Sequence, residues 1–171
     1  MKKIICLLLS VAILLLSSCS IHGQEESAVA PFYYLRDPDT FLYGSPDGVV
    51  SSENRDIAGH ENELNYLLML YLKGPLDEGL ESPFPEGCRL LQLNEKNGKL
   101  SIVLNSSFTT LKGMDLTLAC VCMARTCFTL TDAESIRIMG KSADGTIPID
   151  ETITINSLLL EDTALPTESR E

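Results

Sequence analysis

The chain contains no tryptophan and only two histidines, His22 and His60, among 171 residues. A shortage of imidazole argues against a histidine-built metal centre. It also leaves a Ser-His-Asp triad nothing but His60 to use as its base. Basic residues are scarce as well, 13 against 24 acidic, for a formal net charge of −11. So acidic a surface is repelled by phosphate backbones, which argues against a nucleic-acid partner. No Gly-x-Ser-x-Gly elbow, phosphate-cradling glycine loop or internal repeat occurs, so nothing calls for a nucleophilic serine, a nucleotide or any cofactor. At this length the sequence has room for one ordinary domain.

One long apolar run is present, Ile4 to Leu16, behind Lys2 and Lys3. Thirteen residues from 4 to 16 is short for a bilayer span and fits a secretory signal core. The run closes on Leu16-Ser17-Ser18-Cys19, which resembles the lipobox of bacterial lipoproteins. That resemblance implies removal of residues 1–18 and a diacylglyceryl group on the Cys19 thiol. Two fatty chains make attachment durable where one does not. The expected location is therefore the outer side of the bacterial cell membrane, with residues 19–30 as a flexible tether. Loss of Lys2 and Lys3 would leave 11 basic and 24 acidic residues, a net of −13, so the body should stand off anionic lipid.

Hydrophobic periodicity supplies the rest. Phe32–Arg36, Thr40–Tyr43 and Val49–Ile57 read as extended, with Asp37-Pro38-Asp39 and Gly44–Gly48 as turns. Leu64, Leu67, Leu68 and Tyr71 share one face of a helix predicted over Glu61–Lys73, which Gly74-Pro75 ends. Arg89–Leu93 and Lys99–Leu104 form a hairpin about Asn97-Gly98, a pair suited to the positive φ of a tight turn. A second helix is predicted over Asp115–Leu130, with Asp115 as its cap and Leu116, Cys120, Met123, Cys127 and Leu130 as its seam. Ser135–Met139 and Ile147–Ile155 are strands, and residues 158–171 an acidic disordered tail. The order implies an α+β fold, a small, mostly antiparallel sheet with two helices on one face.

Between the first helix and the hairpin lies KGPLDEGLESPFPEG, residues 73–87, with carboxylates at Asp77, Glu78, Glu81 and Glu86. They lack the alternation and glycine placement of a calcium loop. Prolines and glycines so dense make a stiff connector, and the loop reads as scaffolding.

The segment order and this loop resemble the GerMN-domain family of sporulation and spore-germination lipoproteins. The resemblance rests on Leu72-Lys73-Gly74-Pro75, Gly79-Leu80, Ser82-Pro83, Pro85-Glu86-Gly87 and Phe128-Thr129-Leu130-Thr131; after the third strand Asn105 and Ser106 depart from the family pattern and meet it only loosely. The domain is assigned to residues 31–157. Membership implies a ring-building-motif-like fold and a role in protein assemblies outside the membrane.

Cys120-x-Cys122-x4-Cys127 is not a metal motif on a helix, because Cys120 and Cys122 point about 200° apart. Cys120 and Cys127 read as core residues, Cys122 as a thiol off the seam, and Cys88 as a candidate for a disulfide. No catalytic or metal-binding set emerges. Opposite its seam the second helix carries Leu118, Val121, Cys122 and Phe128. That face is either covered by a neighbouring segment or exposed as an interaction surface. The expected function is a non-catalytic, lipid-anchored interaction module, with envelope or sporulation-complex proteins, or a second copy, as partners. The alternative is a glycan- or small-ligand-binding cell-wall lipoprotein, using Phe32, Tyr33, Tyr34, Phe41 and Tyr43 to stack on sugars.

Overall fold

In a computed structural model, residues 28–37 and 48–159 are described. The expectations for the signal run, Cys19, the tether before residue 28, Thr40–Tyr43 and the tail beyond residue 159 lie outside them. The first described element is β1 (Val29–Arg36), where Ala30, Phe32 and Tyr34 alternate inward and are buried. It pairs antiparallel with β2 (Val50–Asp56) along its length, and its C-terminal end pairs with the two-residue β3 (Leu80–Glu81). Helix α1 (Leu64–Tyr71) lies between β2 and β3 in sequence and buries Leu67, Leu68 and Tyr71, three of the four predicted positions. It is shorter than expected: residues 60–63 form turns, with the His60 N–H on Ile57 O and the Glu63 N–H on His60 O.

The second sheet has the order β4 (Leu90–Lys96), β5 (Lys99–Leu104), β6 (Ser135–Gly140), β7 (Ile149–Thr154). Asn97 and Gly98 both adopt positive φ, 53° and 69°, the hairpin geometry these two residues tolerate best. β5 alternates with Leu100, Ile102 and Leu104 fully buried, and β6 adds Ile136 and Ile138 to the same inner face. A one-residue bulge interrupts β4 between Leu90 and Gln92 and leaves Leu91 55% exposed. β5 and β6 are parallel, joined through a 3-10 turn (Phe108–Thr110) and α2 (Gly113–Leu130). A short helix, α3 (Ile155–Leu159), follows β7.

The α+β class and the antiparallel majority are as predicted. Where one sheet was expected there are two. The proline-rich connector after α1 carries the chain from the first to the second and pairs with the end of β1 through β3. α2 begins at Gly113, not Asp115. Lys112 precedes it without a side-chain cap, and Asp115 stands in the first turn, where its charge favours the helix dipole.

By length and mean hydropathy (1.3), α2 could cross a membrane. Its neighbours give that composition another use, because it contacts β1 of the first sheet and β6 and β7 of the second. Its apolar residues join a core that includes Phe32, Tyr34, Tyr71, Phe108 and Ile138. Gly140 ends β6 under the 3-10 turn. A Cβ there would sit 3.0 Å from Thr109 and 3.1 Å from Phe108, so the strand accepts only glycine without a shift.

Candidate interaction surface

The unpaired edge of β1 lies along α2 and α1, and hydroxyls complete it. The Tyr33 N–H donates to Thr126 Oγ1 at 3.0 Å, and the Tyr71 hydroxyl donates to Tyr33 O at 2.6 Å. Pro31 has no N–H to satisfy, and its carbonyl lies 3.2 Å from the Thr129 hydroxyl, which also reaches Thr126 O at 2.8 Å. These threonines replace the missing strand, which is why a core helix carries them. The same contact covers the helix face opposite its seam. Cys122 is fully buried, correcting its placement on an interaction surface, while Leu118, Val121 and Phe128 are half-buried. Burial pushes the thiols of Cys88, Cys120 and Cys122 up to about 12 and that of Cys127 higher still. All four are free, and a thiol held neutral is a poor nucleophile and a poor metal ligand.

The connector of residues 73–87 is held from both sides. Pro83 and Phe84 are buried, and the Phe84 ring meets Tyr71 edge-on at 5.3 Å. Glu53 on β2 accepts the N–H groups of Leu76 and Asp77 at 2.9 Å. Arg55, two residues on and on the same strand face, forms an ion pair with Glu53 and donates to Gly74 O at 2.6 Å. The guanidinium is 5% exposed and lies over the rings of Phe32 and Tyr34, 5.3 and 5.7 Å from their centroids. The Tyr34 hydroxyl reaches Tyr71 O and Gly74 O, and burial raises its pKa. At the loop's return, Asn105 accepts from the Arg89 N–H at 3.0 Å and donates to Gly87 O at 2.8 Å. Sequence reasoning assigned no task to Glu53 or Arg55. Their only signal is an opposite-charge pair at i, i+2, on one side of a strand.

Burial of Phe32 and Tyr34 also removes the sugar-stacking cluster. Both rings are fully inside, Tyr33 is half-buried under Arg125, and Phe41 and Tyr43 lie outside the described residues. His60 stacks on Tyr66 at 4.2 Å and pairs with Glu63 on the surface. Among the described residues no group of three His, Cys, Asp or Glu side chains could hold a metal ion.

Several concave regions lie among the described residues. A depression of about 450 Å³ on the open face of the second sheet is lined by Lys99, Ser101, Ser135, Arg137, Asp150 and Thr152. There Arg137 grips Asp150 through two bonds of 2.7 and 2.5 Å, holding its carboxyl below the usual range. A groove of about 260 Å³ between α2, β7 and α3 includes Leu116, Val121, Ile153 and Leu158. A third, also about 260 Å³, runs between the end of α1 and the start of β4, lined by Met69, Leu72, Lys73, Cys88, Arg89 and Leu90. Lys73, which opens the loop, and Cys88, the residue after it, thus meet in one groove. Met69 is 54% exposed there, with Tyr66 (44%) one turn back on α1.

A search of curated proteins found no match. Among solved structures, the tandem GerMN domains of the sporulation protein GerM from Bacillus subtilis are similar at a TM-score of 0.52 and 16% identity. The alignment covers 80% of this chain and 49% of that one, so the chain spans about half the length of the solved protein. The family model named Germane, described as sporulation and spore germination, matches residues 31–144, about two thirds of the sequence. With the loop, the crossover helix and the two sheets accounted for, the chain belongs to the Germane family of sporulation and spore-germination domains.

Proposed function

We propose that this protein is a non-catalytic interaction module, held by lipid on Cys19 at the outer side of a bacterial membrane, that joins envelope assemblies serving sporulation or germination. The observation that carries this reading is the division of labour among side chains. The four described thiols are buried, the Glu53–Arg55 pair clamps a loop, and His60 lies on the surface, stacked on Tyr66 and paired with Glu63. Large apolar side chains at Tyr66, Met69 and Leu91 are left to solvent on α1 and β4. Exposed apolar side chains beside a groove mark a protein contact more often than a reaction centre. The family description supplies the process, and Leu16-Ser17-Ser18-Cys19 supplies the anchor.

The test is photo-crosslinking in living cells, with benzoylphenylalanine at Met69 and, as control, at Ser101 on the open sheet. Discrete adducts from Met69 and none from Ser101 support the reading. Equal or absent labelling at both positions overturns it. For the anchor, Cys19→Ala should move the protein from the membrane to the soluble fraction or leave an unprocessed precursor. A variant still carrying lipid refutes that assignment.

A further inference from the structure

The seam between α1 and β4 carries opposite charge at its two ends. At one end the groove beside Met69 holds Lys73 and Arg89 and no carboxylate. At the other a shallow hollow is lined by Glu61, Glu95 and Asp132 together with Asn62, Leu64, Leu130 and Thr131, and no cation. Since Leu64 shares a hollow with Glu95, and Leu72 shares a groove with Leu90, helix and strand run antiparallel along the seam. Met69 lines the basic groove towards the middle of the helix, Tyr66 follows one turn back, and Leu91 stands between Arg89 and Glu95 along the strand, all exposed. Neither Lys73 nor Arg89 has an ion-pair partner among the described residues.

We propose that a second copy of this chain docks on this seam, the two copies related by a two-fold axis so that each basic pole meets the other's acidic pole. An isologous contact uses one patch twice and must therefore be complementary to itself. A patch that is apolar in the middle and oppositely charged at its ends meets that condition when the two copies lie antiparallel. Parallel stacking would set like charge on like. Two copies with a formal net charge of −11 each, or −13 without Lys2 and Lys3, repel one another at long range, so contact must place cations against carboxylates. The bulge at Leu91 breaks the free edge of β4, so the contact is made by side chains and not by an added strand. This inference rests on the interaction reading above and names its partner.

The experiment is a charge swap in the full chain, in mild detergent, read by sedimentation and by a disulfide reporter. Met69→Cys should form a covalent dimer on mild oxidation, and Ser101→Cys should not. Adding K73E/R89E to the reporter should abolish the dimer, as should E61K/E95K. Mixing the two charge variants should restore it as a heterodimer, because both poles are then matched again, and that recovery shows both variants are folded. Monomers throughout, dimers insensitive to either charge reversal, or equal cross-linking from Ser101→Cys would overturn the proposal. Discrete adducts to other proteins from Met69 in cells, persisting in K73E/R89E, would overturn self-pairing while leaving the interaction reading intact.

Discussion

Replacing Arg55 by methionine tests whether the Glu53–Arg55 pair holds the family's most distinctive loop. Methionine keeps much of the packing over Phe32 and Tyr34 but removes the donors to Gly74 O, Leu70 O and Glu53. Glu53, 9% exposed, then keeps its charge with only the Leu76 and Asp77 N–H groups for support. Breaking one side of a buried pair costs about 3–5 kcal/mol. At roughly 3–6 °C per kcal/mol for a domain of this size, the melting temperature should fall by about 9–30 °C. Glu53→Gln keeps an oxygen for the loop N–H groups and strands a cation that still has two carbonyls and two rings, so it should cost about 1.5–3 kcal/mol. The double replacement should cost clearly less than the sum, since neither charge is left alone. Urea unfolding of the four proteins gives the cycle. An R55M loss below about 1 kcal/mol, or single effects that add within about 0.5 kcal/mol, would refute the clamp.

Three further outcomes follow from the same packing. The four thiols titrate higher in the folded state than unfolded, so their contribution is complete below about pH 9 and is lost as pH rises towards about 12. Together they should remove roughly 6 kcal/mol by pH 10, measured by urea unfolding under reducing conditions, and a flat profile from pH 7 to 10 contradicts their burial. Thr126→Val keeps the volume but leaves the Tyr33 N–H without an acceptor, so stability should fall by about 1–3 kcal/mol and exchange of that amide should speed up. Unchanged exchange at Tyr33 would show that the helix does not close the strand edge. Gly140→Ala forces Thr109 and Phe108 apart at a cost of about 1–3 kcal/mol, and a neutral result in thermal melts would mean the turn yields freely.

Legibility from sequence followed the physics of each element. β5 alternates strictly and the Asn97-Gly98 turn is chemically specific, so both were readable to the residue. So was the seam of α2 through Cys120, Met123 and Cys127, because one stripe at helical spacing needs only one neighbour. Cys122 was misplaced for the converse reason. A helical wheel divides a helix into core and solvent sides, and it cannot see that a strand edge lies on the second side. The threonines beside it held the clue, since Thr126 and Thr129 spend their hydroxyls on β1. Glu53 and Arg55 were invisible because VSSENRD has no hydrophobic rhythm, and its burial comes from rings on β1 and from a loop that returns later in the chain. The division into two sheets was equally hidden. It depends on where a stiff connector sets the chain down, not on local preference.

The parallel pairing of β5 with β6 has a consequence for how the molecule forms. β4 and β5 can zip together at once through their tight turn, but the partner for β5's other edge arrives only after everything from Asn105 to Glu134 has been laid down. Until then Leu100, Ile102 and Leu104 lie on an incomplete ribbon whose open side could pair with any passing chain. Helix α2 is the piece that delivers β6, and its buried residues join the same core as those side chains. A chain emerging in order from its N-terminus is therefore exposed for longest in the interval between its hairpin and its crossover.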